Sequence, residues 1–145
     1  MTRLQTSAFT LLELMIALAI AVTLAVFAVP SYRAYVARTY RIDAASALYR
    51  AAQSVEAAPG DSNATLPPGL DQAPLFGAPI YRLRVLPSDD GGGGYSLEAA
   101  PIETGPMRDD ACGTFTLDAT GLRGNRNSSG VSGAGPASNE CWNTS

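Results

Sequence analysis

The sequence predicts an α+β domain built on one long N-terminal helix, and three observations predict it. The first is an apolar run from Phe9 to Val29. The second is an Ala-rich stretch free of Gly and Pro from Tyr32 to Ala58. The third is a set of later segments in which apolar and polar residues alternate between Gly- and Asp-rich turns. A length of 145 residues suits one domain with a modest core rather than two.

The apolar run comes first. As a helix it would span about 31 Å, enough to cross the hydrocarbon layer of a bilayer. Its one strongly polar side chain is Glu13. Charged residues at the centre of a span cost roughly 2.5–3.5 kcal/mol on insertion scales, so one there calls for a partner. Cleavage before Phe9 would create an ammonium four residues upstream, on the same chain or a neighbour. The alternative places Glu13 in the headgroup region at the helix end. Two rival readings compete for the run. An ordinary secretory signal cut after Val26-Phe27-Ala28 would release a chain beginning at Val29, but it leaves Glu13 unexplained. A plain single-span protein is the other. Arg3 precedes the span while Arg33, Arg38 and Arg41 follow it, so a positive-inside count favours the opposite orientation to that of an exported domain.

The remaining elements follow in order. Pro30 should kink or break the helix, since it lacks an N–H and clashes with the preceding turn. A second helical stretch runs over 31–58, with Ile42, Ala45, Leu48, Tyr49, Ala52 and Val55 at three- and four-residue steps, a stripe suited to packing on a sheet. Arg33, Asp43 and Arg50 fall largely outside that stripe. Pro59-Gly60 ends it, and 59–79 reads as a Pro-rich loop. The sheet spans 80–124. Tyr81, Leu83 and Val85 alternate with Arg82 and Arg84, and Tyr95, Leu97 and Ala99 alternate with Ser96 and Glu98. The turn Asp89-Asp90 with four glycines makes these a hairpin. Thr114 to Leu117 is a third strand, and a fourth begins near Leu122 after the turn Asp118–Gly121. The result is a long helix on a three- or four-stranded antiparallel sheet.

Composition narrows the chemistry. With no His and no Lys among its residues, the chain lacks the commonest general base and zinc ligand. Formal net charge is −3 and no basic block stands out. No Gly-rich phosphate loop precedes a helix. No catalytic residue, metal ligand set or cofactor is expected, and the chain is not read as an enzyme. Asp89, Asp90, Asp109 and Asp110 could hold calcium, although solvated turn acids are the plainer reading. Asp61 to Thr65 fits an acidic glycosylation sequon, a short pattern of low specificity. Cys112 and Cys141 stand alone, and in an exported chain such a pair forms a disulfide. It would close a loop over 112–141 worth roughly 3.6 kcal/mol in the chain-entropy model.

A short leader with one Arg, a small residue, then Phe9-Thr10-Leu11-Leu12-Glu13 and a long apolar run with Pro30-Ser31-Tyr32 beyond it resembles type IV pilins and pseudopilins. Cys112-Gly113-Thr114-Phe115-Thr116-Leu117-Asp118 with Cys141-Trp142 resembles the C-terminal region of minor pilins from Gram-negative bacteria with retractable pili. The resemblance implies a leader over 1–8, cleavage between Ala8 and Phe9 by prepilin peptidase, and N-methylation of Phe9. It also implies an assembly helix over 9–29, with Glu13 pairing with the Phe9 amine of an adjacent subunit, and a globular head over 30–145. The family usually has Gly where this chain has Ala8. The implied partners are other pilin subunits, prepilin peptidase and the inner membrane, with the head in the periplasm before assembly and in an extracellular pilus after it. A minor pseudopilin of type II secretion is the neighbouring alternative; the major pseudopilins of such systems usually rely on a calcium-binding loop and lack this disulfide. A third reading is a pilus-tip binding module for DNA or surfaces, with Arg123 and Arg126 beside Asn125 and Asn127 as a thin DNA footprint.

Overall fold

In a computed structural model the protein is described over residues 9–57, 65–87, 94–127 and 138–142. These divide into two compact units, one ending at Val36 and one beginning at Ala37. Ala8, the sequon residues Asp61 to Ala64, Asp89 and Asp90 lie outside the described residues.

One helix, α1, runs from Leu11 to Ala57. Pro30 lies inside it, so the proline removes one hydrogen bond without ending the helix, and the helical stretch expected over 31–58 continues the first as the one long helix the sequence predicts. Thr10 caps the start: its Oγ1 accepts a hydrogen bond from the Glu13 amide at 3.2 Å, and its carbonyl accepts from the Leu14 amide at 3.2 Å. Thr10 and Glu13 thus occupy the N-cap and third positions of an S/T-x-x-E capping sequence.

The sheet has five strands in the order of the chain, all antiparallel: β1 (Gln72–Ala73), β2 (Tyr81–Pro87), β3 (Tyr95–Pro101), β4 (Thr114–Asp118) and β5 (Arg123–Arg126). The hairpin β2–β3 and the third and fourth predicted strands stand where the alternation put them. The two-residue β1 lies within the segment expected to be loop. A short helix, α2 (Ser138–Trp142), follows the sheet.

Register aligns the core in rows. Leu83, Ala99, Phe115 and Asn125 lie side by side across four strands, and Val85, Leu97, Leu117 and Arg123 form the next row. Period-two geometry sends Arg82, Arg84, Glu98, Thr116 and Arg126 to the opposite face. Helix α1 covers the core face with Ala44, Ala47, Leu48 and Ala51, all buried. That stripe is rotated from the expected one: Leu48 is common to both, Ala45, Ala52 and Val55 flank it, and Ile42 and Tyr49 are exposed. Runs of alanine present nearly equal apolarity on several faces, so spacing alone could not choose between them.

Tyr81, Phe115 and Trp142 form an edge-to-face aromatic series through the core, with ring centroids 6.0 and 5.4 Å apart. The Tyr81 hydroxyl is buried and has no hydrogen-bond partner among the described residues. Burial, reinforced by the Asp110 charge, raises its pKa well above the ordinary phenol value.

Candidate functional site: the exposed helix and the disulfide-bounded end of the sheet

The N-terminal part of α1 is exposed on every side. Phe9, Leu11, Leu12, Leu14 and Met15 are each more than 60% exposed, and the pattern continues to Val29. A stretch this long and this apolar satisfies the length and composition of a membrane span. Glu13 sits at its start, one turn from Phe9. The small side chain of Ala17 leaves a shallow hollow beside Glu13, bounded by Thr10, Leu12, Ile16 and Ile20. Glu13 stands in the first turn of α1, where helix amides favour a carboxylate, on an otherwise apolar surface.

At the other end of the chain Cys112 and Cys141 are joined by a disulfide. The sequence places Gly113 next, with φ of 59°, where a Cβ would collide with the Arg126 carbonyl oxygen. Only glycine lets β4 start this close to the end of β5. Asn125 is buried, and its amide nitrogen reaches the Cys112 carbonyl at 3.4 Å and the Cys141 sulfur at 3.7 Å. Trp142 donates from its indole nitrogen to the Gly124 carbonyl at 3.0 Å. The Arg123 guanidinium lies over the rings of Tyr49 and Trp142, 5.7 and 5.8 Å from their centroids.

This arrangement breaks up the DNA footprint expected around β5. Asn125 is a structural amide, Arg126 is paired with Glu98, and Arg123 is engaged with two aromatic rings. Of the four acids considered for calcium, the two described, Asp109 and Asp110, are engaged by protein groups. Asp110 takes a bidentate pair from Arg41 at 3.0 and 2.5 Å and a bond from the Cys112 amide at 3.3 Å, while Asp109 accepts from Arg108. No cluster of potential metal ligands occurs among the described residues. Arg41, which the sequence offers only as a charge beyond the span, ties helix α1 to the segment that carries Cys112.

Arg82 and Arg84 enter the sequence reading only as the polar half of an alternating strand. They project from the same sheet face at adjacent outward positions, roughly 6.6 Å apart along β2. Both are exposed. Arg82 lies 3.7 Å from Asp71, and the cross-strand neighbour of Arg84 is Glu98. The signal was present in the Arg-x-Arg alternation itself.

Two family models match the chain. The prokaryotic N-terminal methylation motif matches residues 3–29. The family described as type IV minor pilin ComP, DNA uptake sequence receptor, matches residues 30–116, more than half of the chain. The chain belongs to the type IV minor pilin family. A comparison with curated proteins returns no match. The family match favours a minor pilin over a pseudopilin, and the apolar helix of this pilin fits membrane anchoring and pilus assembly. Membership implies assembly with other pilin subunits and processing by prepilin peptidase. The matched segment ends at residue 116, so the pilin's β5, α2 and Cys141 lie beyond it.

Proposed function

We propose that this pilin is inserted in the inner membrane with its sheet domain in the periplasm, cleaved between Ala8 and Phe9 and N-methylated at Phe9. It then joins a pilus through residues 9–29, with Glu13 meeting the Phe9 ammonium of a neighbouring subunit. The observation that carries this reading is the exposed apolar helix starting at the cleavage motif and matched there by the methylation family. Buried against like helices, that surface would lose its contact with water, and an ammonium offsets the cost of carrying Glu13 inside.

The family's description as a DNA uptake sequence receptor supports DNA as the ligand of this minor pilin. Arg82 and Arg84, exposed and side by side, are the residues best placed to contact phosphates. The N-terminal residue and intact mass of the protein from bacterial membranes test the first part. A chain beginning with methylated Phe9 is expected; one beginning at Val29 would overturn it. For the second, the purified sheet-bearing chain should bind duplex DNA with a salt dependence that weakens by about 0.9 in log–log slope for each Arg replaced by Ala at 82 and 84. An unchanged slope would remove these two residues from the interface.

A further inference from the structure

We infer that Tyr32, Arg33 and Tyr35 form an interfacial collar that seats the helix in the phosphate headgroups of the leaflet beyond Val29, with Arg33 contacting anionic lipid. The collar rests on the membrane-anchored reading above, but its residues lie outside the apolar run and the assembly motif.

The argument is one of length, chemistry and charge. Helix α1 continues past Val29 without interruption, so each residue beyond it advances about 1.5 Å along the axis. Tyr32 to Tyr35 therefore lie about 4.5–9 Å past the end of the apolar run. The headgroup layer on each side of a hydrocarbon core occupies roughly 5–8 Å. The collar falls in that layer.

Its composition matches the layer as well. Tyr32 is 69% exposed and Tyr35 70% exposed. Tyrosines belong at this depth, where the ring meets acyl chains and the hydroxyl meets water and esters. Arg33 is exposed between them, and its planar guanidinium suits bidentate contact with phosphate oxygens. No acidic residue occurs between Glu13 and Asp43, so nothing on this stretch repels an anionic headgroup or competes for the cation. The same arrangement accounts for Arg33 in the adverse positive-inside count: a cation on the exported side is tolerated when lipid phosphate pairs with it at the interface.

The test uses the full chain reconstituted in vesicles, with Tyr32→Trp as a fluorescent reporter and the parent protein subtracted as the Trp142 background. In vesicles of phosphatidylethanolamine and phosphatidylglycerol, the introduced indole should be quenched by headgroup-level spin-labelled lipid and shielded from acrylamide. Arg33→Glu in that background should raise acrylamide access by at least about fivefold, the loss of one cation's attraction to an anionic surface, with the repulsion of the new carboxylate added to it. In phosphatidylcholine alone the same substitution should have little effect. Equal access with and without Arg33→Glu in anionic vesicles, from protein that floats with them, overturns the collar and leaves anchoring intact. Protein that fails to float with vesicles overturns anchoring and the collar together.

Discussion

Gly113 is the residue on which the disulfide-bounded end of the sheet is most exacting. Its φ of 59° and the closeness of the Arg126 carbonyl to any added Cβ act together. Gly113→Ala is expected to destabilise the protein by about 2 kcal/mol or more, combining left-handed strain with a backbone clash. Thermal unfolding of the oxidised protein would measure it, and an unchanged midpoint would mean the two strands can separate freely there. Asp118 acts at the opposite end of the hairpin. Its Oδ1 accepts from the Thr120 hydroxyl at 2.6 Å, the Leu122 amide at 2.8 Å and the Thr120 amide at 2.9 Å. The Thr120 hydroxyl, then the Leu122 amide, hold its pKa below 3.8. A depressed carboxylate stabilises the folded turn above its ordinary pKa, and that contribution is lost as pH falls through the lowered value. A carboxyl NMR titration should place the Asp118 midpoint below 3.8, with the Leu122 amide signal moving in step. At this scale the sequence was readable where a residue type is tied to backbone geometry, as in the turn Asp118–Gly121. It was misleading where polarity suggested exposure: Asn125 reads as a surface amide and is instead the buried link between β5 and both half-cystines.

Among the elements, α2 depends most on a covalent bond. It is five residues long, too short to be stable as an isolated helix; Trp142 joins it to β5, and the disulfide ties it to Cys112 just before β4. Cys141→Ser should therefore release α2, remove Trp142 from Phe115 and cost roughly 3.6 kcal/mol in the chain-entropy account. Trp142 is the sole tryptophan of the chain, so a red shift in its emission reports the release directly. Emission unchanged from the oxidised parent would show that packing alone seats the helix. The strands β2, β3 and β4 were legible because each has at least two alternations of apolar and polar residues. The two residues of β1 cannot display a period, and α2 shows no full turn of pattern. Pro30 left two outcomes open in the sequence, a kink or a break. The helix runs on through it, at the cost of one hydrogen bond and one clash with the preceding turn.

For the molecule as a whole, the division into an exposed apolar helix and a sheet-bearing unit was visible in composition alone, because the two regions solve different burial problems. What kind of partner such a helix takes was not visible in composition; the motif around Phe9 and Glu13 suggested it through its resemblance to pilins. Glu13→Ala is expected to leave a stable, processed membrane protein that fails to enter pili, seen as normal abundance in membranes and loss from sheared fibres. Normal entry would show that the carboxylate serves the helix N-terminus only.

The bond between Cys112 and Cys141 also sets how the protein answers tension. A subunit drawn back by its N-terminal helix while its far end holds a ligand bears load along its backbone. If the sheet yields, the 29-residue separation between the half-cystines cannot lengthen, which withholds about 100 Å of slack that a reduced chain would release. Pulled in single-molecule force spectroscopy, the oxidised protein should gain that much less contour length than the reduced one. This segment of the chain therefore acts as a fixed-length tether under load.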